Sequence, residues 1–246
     1  MIIIRSVLLD SFPELKFGMS TKVGLNRAAP FYFNMSKTVG DDENLVNENR
    51  KSFFDKFGLD LNTVALQKQI HSDIVTIVND AEKQFESDAL ITDKPKLGLA
   101  ISTADCVPVF LYDSKNKVIA GVHSGWRGTE MKIILKTISV LIKKFHSDPK
   151  NIYAYIGPSI SQKNYEVGIE VAGLFDPKYV LQKEGKYFLD VALANYDMLT
   201  SSGILTKNIQ RSELCSFDSK ILHSYRRDGK KSGRALGVIV MKETNS

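Results

Sequence analysis

"STADCVPVFLYDSKNKVIAGVHSGWRG" (Ser102–Gly128) sets two apolar runs, Val107–Tyr112 and Val118–His123, on either side of the turn-rich "DSKNK". Short runs rich in Val, Ile and aromatics around such a connection read as an antiparallel hairpin. With Asp113–Asn116 as the loop, Tyr112 faces Lys117, and counting outward sets Cys106 directly opposite His123. Opposed residues project from one face with Cβ atoms ~4.5–5.5 Å apart, within reach of a shared metal ion. A one-residue change of register sends the two side chains to opposite faces. The chain has only two cysteines and four histidines, so a Cys–His meeting is a narrow coincidence.

Outward from this hairpin, further strand-like runs lie at Ile2–Leu9, Val64–Ile70, Ile74–Val78, Leu97–Ser102, Ile152–Ile156 and Ala235–Met241, bounded by Gly, Pro, Asn or Asp. Three segments carry helical spacing instead. "DDENLVNENRKSFFDKFG" opens acidic, aligns Val46, Phe53 and Phe57, and stops at Gly58. "TEMKIILKTISVLIKKFH" gathers Ile134, Ile138, Leu141 and Phe145 on one face and Lys132, Lys136 and Lys143 on the other. "DVALANYDMLTSSG" has Asp190 to cap its start and Gly203 to end it. Strands and helices without strict alternation predict an α+β fold, with a mixed β-sheet core flanked by helices. No repeat or long linker divides residues 1–246, which read as a single domain.

The surface chemistry excludes several function classes. The net charge of +5, from 33 basic and 28 acidic residues, is spread along the chain rather than gathered in a tract with interleaved aromatics. That argues against nucleic acid as a partner. No run approaches the ~18–20 apolar residues of a membrane span. "MIIIRSVLLDSF" lacks the form of a signal peptide, and two cysteines make no disulfide framework, so a cytoplasmic protein with free thiols is expected.

A metal at Cys106 and His123 needs a third ligand. His146 sits at the end of a helix, His223 follows a short apolar patch, and His71 ends the strand-like run before "HSDIV". By position His71 is the best of them. Two imidazoles and a thiolate suit Zn²⁺ with its fourth position open. The scattered spacing leaves open a buried thiol and two unrelated histidines. Past His123, "SGWRGT" offers glycines, a helix start and Arg127, which suits a phosphate near the metal or an ordinary carboxylate pair.

The sequence resembles the YfiH-like family, also called the laccase-domain or polyphenol-oxidase-type family. The likeness is carried by "GDDENLVNENR" (40–50), "QKQIHSDIV" (67–75), "DALIT" (88–92), "TADCVPVFLYD" (103–113), "AGVHSGWRG" (120–128), "IGPSI" (156–160), "YEVG" (165–168) and "SYRRDGKKSGR" (224–234). It implies metal ligation by His71, Cys106 and His123. It also implies phosphorolysis of adenosine, inosine and methylthioadenosine, with adenosine deamination alongside. Copper-dependent oxidation of phenols is the other activity attached to the family. Four histidines are too few for several coppers, although a single His₂Cys site resembles a copper centre in ligand type. For proton transfer the nearest carboxylates in sequence are Asp73, Asp88 and Asp105, and for phosphate the candidates are Arg50, Arg127 and Arg226. Asn34, in "YFNMS", keeps a family position and is a further candidate for binding substrate, whereas Lys22 stands where arginine is common and Ser72 where glycine is. Cys106 as a free nucleophile with His123 as base is a further alternative, exclusive of metal ligation. Oligomeric state does not follow from the sequence.

Overall fold

Alternation along the strand Ala235–Met241 divides the molecule into layers. In the computed structural model, which describes residues 1–81 and 85–243, Leu236, Val238 and Val240 turn to one side. Ile239 and Met241 turn to the other. This strand is central in a six-stranded mixed sheet whose order is 3–4, 15–20, 235–241, 98–103, 64–68 and 85–86. A second six-stranded mixed sheet runs 209–211, 152–156, 107–113, 118–124, 89–92 and 75–77. In both, antiparallel pairs form the centre; parallel pairs form one end of the first sheet and both edges of the second.

The two sheets face each other across a core that joins Phe17, Leu99 and Ile239 of the first to Phe110, Tyr112 and Ile119 of the second. Their approach is close: a Cβ on Gly237 would press into the ring of Phe110, which would have to shift to admit it. Helices close both outer faces. Asp42 caps Glu43–Phe54 through Asn44 N (2.7 Å) and Leu45 N (3.3 Å), and Phe53, Phe54 and Phe57 pack under the first sheet. Ile133–Phe145 and Val191–Ser201 cover the second sheet with Ile134, Ile138, Leu141 and Leu199. Each such fully buried side chain contributes ~1.5–3 kcal/mol of transfer free energy, which fixes these helices in place. A three-stranded antiparallel sheet (166–167, 186–189, 180–183) completes the α+β architecture. No helix among the described residues is long and apolar enough to cross a membrane.

Three local expectations are corrected. The run Ile2–Leu9 is a strand only at Ile3–Ile4, because Ser6 caps a helical turn, Val7–Asp10, by accepting from Leu9 N at 3.1 Å. The long helix before His146 is two, Trp126–Glu130 and Ile133–Phe145, broken where Lys132 takes φ 63°. The hairpin loop begins one residue later than expected. Asp113 accepts from Lys115 N (2.9 Å) and Asn116 N (3.0 Å), Lys117 takes φ 54°, and Asp113 pairs with Val118. His123 therefore faces Pro108 rather than Cys106. The register moves by two, so the residues keep their face.

Candidate metal centre and its cavity

Cys106 lies in the bend just before the strand Val107–Asp113, and His123 lies near the end of the strand Val118–Ser124. His71 lies beyond the strand Val64–Lys68, with φ 58°. The ligand atoms of His71, Cys106 and His123 all lie within 4.8 Å of one another. The two imidazole rings meet edge to face at 4.9 Å. Continuing the hairpin register outward sets Cys106 opposite Gly125, and a Cβ there would lie 3.1 Å from Cys106 Sγ and 3.2 Å from His71 Cδ2. Gly125 leaves the thiol and imidazole the room to converge.

The local sequence explains how the three are held. Gln69 copies a strand's hydrogen bonding with its side chain: Oε1 accepts from Ser102 N (2.8 Å) and Nε2 donates to Ser102 O (2.9 Å). Asp88, fully buried, then fixes the turn that follows. Its Oδ1 accepts from His71 N at 3.1 Å. Its Oδ2 accepts from Ser72 N (2.6 Å), Ser72 Oγ (2.7 Å) and Ile70 N (3.3 Å). Oδ1 also pairs with His123 Nδ1 at 2.8 Å. Burial works to raise the Asp88 carboxyl, but the His123 and Ser72 hydrogen bonds outweigh it and hold the group at about 2. As an ionised acceptor it favours a proton on His123 Nδ1, so Nε2 is the nitrogen that would turn to a metal on giving up its proton.

Burial also opposes charge on Cys106 and His123, yet their mutual attraction wins. The Cys106 thiol is held below its ordinary value by His123 and then His71, and the His123 imidazole is raised by Cys106 and Asp88. A thiolate and two imidazoles are a borderline-soft donor set. Tetrahedral zinc, with bonds of ~2.0–2.3 Å, needs donor atoms converging as these do. The residues present fit a metal ion.

The cluster opens into a cavity of about 870 Å³. Its floor is the outer face of the first sheet, from Val64, Leu66, Ala100, Ser102 and Leu236. Its rim carries Lys37, Arg50, Lys68, Arg234 and Tyr225, and neither Asp nor Glu lines it among the described residues.

The other residues singled out from sequence lie as follows. Arg50 lines the cavity and anchors its Nε to Met35 O at 2.7 Å. Asn34 is fully buried and bonded to Ser36, Asp41 and Arg234. Arg127 stacks on Trp126 at 4.3 Å, outside the cavity lining. Arg226 donates to Glu166 O (2.8 Å) and lies over the Tyr165 ring. Asp73 pairs with Lys136. Asp105, at φ 96°, is in a bend rather than on a regular strand, and accepts from Ser216 Oγ and Arg226 N at 2.6 Å each. Sequence reasoning passed over Gln69, Tyr225 and Arg234. They come from two distant segments, 67–75 and 224–234, and no local spacing marks residues that only the fold brings to one cavity.

Comparison with known proteins follows the same outline. The model of a family described as multi-copper polyphenol oxidoreductase laccase matches residues 16–242. A purine nucleoside phosphorylase of Clostridium acetobutylicum is 37% identical over 241 residues, 94% of each chain. One of Bacteroides thetaiotaomicron is 33% identical over 253 residues, 95% of this chain and 94% of that protein. The crystal structure of the Bacillus licheniformis hypothetical protein YfiH superposes with a TM-score of 0.88 at 33% identity, covering 93% of each chain. YlmD from Geobacillus stearothermophilus superposes at 0.90 with 28% identity, covering 97% of this chain and 94% of that one. The YfiH-like resemblance read from the motifs is borne out.

Proposed function

The chain belongs to the multi-copper polyphenol oxidoreductase laccase family, YfiH-like in structure, and on that premise we propose that it is a metal-dependent purine nucleoside phosphorylase. Its substrates on this reading are adenosine, inosine and methylthioadenosine, with adenosine deamination alongside. The observation that carries the reading is a His₂Cys cluster opening into a cation-rimmed cavity, lined by no carboxylate among the described residues, in a chain whose relatives bear that name. At about 870 Å³ the cavity is within the ~300–1,000 Å³ range of small-molecule sites, roomy enough for a nucleoside and a phosphate together.

In phosphorolysis a phosphate oxygen forms a bond to ribose C1′ as the C1′–N9 bond breaks. The bonding pair leaves with the purine, which takes up a proton, and ribose 1-phosphate remains. His71, Cys106 and His123 would hold the metal, zinc on donor chemistry. When bound, such an ion supplies a Lewis acid that stabilises charge developing on oxygen. Arg50 offers a guanidinium to the phosphate, and the apolar floor of Leu66, Ala100 and Leu236 excludes water that would compete with it. Asp88 acts through His123 as a positioning residue, and Asp105 holds the bend that presents Cys106. Neither lines the cavity, and Asp73 is engaged with Lys136, so none of the three is assigned contact with substrate.

The copper oxidase reading draws on the family's description and the His₂Cys donor set. It lacks the histidines for further coppers: His146 caps the exposed end of a helix, and His223 is buried beside Phe33 O. The deciding experiment incubates zinc-loaded protein with adenosine, inosine or methylthioadenosine, with and without phosphate, and identifies the products. A parallel copper-loaded sample receives a phenol and oxygen. Phosphate-dependent release of purine and ribose 1-phosphate, lost in Cys106→Ala, is expected. Phenol oxidation with no nucleoside product would overturn the proposal.

A further inference from the structure

Arg234 ends the stretch 224–234 and has no role in the reading above, yet it shares the cavity rim with Arg50. The two arrive from opposite ends of the chain, one on the helix Glu43–Phe54 and one just before the strand Ala235–Met241. A single dipeptide fastens both. Arg50 Nε donates to Met35 O (2.7 Å), and Met35 N donates to Arg234 O (2.9 Å). Arg234 N donates to Asn34 Oδ1 (2.9 Å), and Asn49 Nδ2, beside Arg50, donates to Asn34 O (2.8 Å). The anchoring spends only part of each guanidinium. Arg234 Nη1 donates to Ser232 O (2.8 Å) and Gly233 O (3.0 Å), with its plane 5.3 Å over the Tyr225 ring. The Nη atoms of Arg50, and Nε and Nη2 of Arg234, have no hydrogen-bond partner among the described residues.

Among the described residues neither arginine has a carboxylate within 4.0 Å, whereas the cavity's lysines do: Lys37 meets Glu43 at 3.6 Å and Lys68 meets Glu86 at 2.6 Å. Arg5, Arg27 and Arg227 likewise pair with acids. Burial depresses both cavity guanidiniums, for Arg234 against the pull of Asp105 and Cys106. Two partly buried like charges with no carboxylate in contact among the described residues gain from a ligand that supplies an anion. Planar forks with free N–H groups match the oxygens of a phosphoryl group in bidentate fashion.

We propose that Arg50 and Arg234 form a two-armed clamp for a phosphoryl dianion, held by Asn34–Met35 beside the His71–Cys106–His123 cluster. Inorganic phosphate, the co-substrate of phosphorolysis, and the phosphoryl group of a nucleotide present the same chemistry. The assignment of the dianion as co-substrate rests on the function proposed above, but the clamp does not. The test measures equilibrium binding of inorganic phosphate and of adenosine 5′-monophosphate to the zinc-loaded full chain, alongside steady-state phosphorolysis. It compares the native protein with Arg234→Gln, Arg234→Lys and Arg50→Gln, each checked for native secondary structure. Expected for Arg234→Gln is a rise of tenfold or more in the KM for phosphate, with the nucleoside KM within twofold and Arg234→Lys in between. Phosphate binding lost in both Gln variants, in a protein without phosphorolysis, sustains the clamp while removing the phosphorylase reading. Nucleotide binding without phosphate binding, lost in the same variants, sustains the clamp and names the nucleotide as the source. Phosphorolysis with an unchanged phosphate KM in Arg234→Gln would overturn the proposal. So would failure of the native protein to bind either probe.

Discussion

Asp88→Asn is the change whose consequence the structure specifies most fully. The carboxylate accepts from five donors: Oδ1 from His71 N and His123 Nδ1, and Oδ2 from Ile70 N, Ser72 N and Ser72 Oγ. An amide of the same shape keeps one oxygen and turns an NH₂ group on the other set. With the nitrogen in the Oδ2 place, the N–H groups of Ile70 and Ser72 lose their acceptor, while Ser72 Oγ can rotate to accept. With the nitrogen in the Oδ1 place, His71 N–H is orphaned and His123 relieves the clash by moving its proton to Nε2, which removes the lone pair a metal needs. Leaving a buried donor unpaired costs ~1–3 kcal/mol, and a hydrogen bond to a charged group is worth ~1.5–3 kcal/mol, so a loss of about 3 kcal/mol is expected. Removing an outer-sphere partner of a ligating histidine lowers metal affinity by roughly 10–100-fold. Urea unfolding at pH 7.5 in chelator gives the first number from the midpoint at constant m. Competition for zinc against a chromophoric chelator gives the second. An Asn variant within about 0.5 kcal/mol of the native protein, the usual range of an inert surface change, and within twofold in zinc affinity, would refute Asp88 as the organiser of the cluster.

Gly125→Ala is expected to weaken metal binding with little effect on folding. Its φ of −73° suits alanine, but the new methyl would stand 3.1 Å from Cys106 Sγ; unchanged zinc affinity in the competition assay would contradict this. Gly237→Ala is expected to destabilise by ~1–3 kcal/mol or more through overpacking against Phe110 and Met19, read as a lower urea midpoint; an unchanged midpoint would mean that the sheets separate freely. His223 gives a pH dependence. Burial depresses its imidazole from 6.5 to about 4, so in acid the unfolded chain takes up a proton that the folded one refuses. Stability is unaffected above pH ~6.5 and falls through the window down to pH ~4, by up to ~3 kcal/mol at 1.36 kcal/mol per unit. Unfolding curves of native protein and His223→Gln in chelator at pH 7.5 and 5.0 should converge as the pH drops, and parallel behaviour at both pH values would exclude the histidine as the cause.

What the sequence disclosed and what it withheld have one physical origin. The hairpin, the three helices and most of the strands rest on period and capping, which a short window contains: Asp190 caps where expected, the acidic start at 41–43 supplies Asp42 as a cap, and Gly58 and Gly203 take positive φ. Ile2–Leu9 misled because its apolar residues say nothing of the cap that Ser6 provides. The strand Leu15–Ser20, central to the first sheet, was passed over because Lys16, Gly18 and Ser20 interrupt its apolar run, while burial there is decided by Phe57 and the strand Ala235–Met241. The hairpin placed Cys106 and His123 on one face even with its loop misjudged by a residue, since the pairing shifted by two and parity survived. His71 was reachable only as the remaining histidine at a strand end. Nothing local announces that Asp88, seventeen residues on, receives its turn. The arginines mark the limit. Arg127 and Arg226 stand next to the motifs and were singled out for that reason; neither is in the cavity lining, Arg127 lying against Trp126 and Arg226 against Glu166 and Tyr165. Arg234 lines the cavity with no carboxylate partner among the described residues, and only Asn34 and Met35 tie it to Arg50 across most of the chain. The candidate metal ligands stand in the motifs, at or just beyond strand ends, whereas the two arginines proposed as a clamp come to one cavity only in the folded chain.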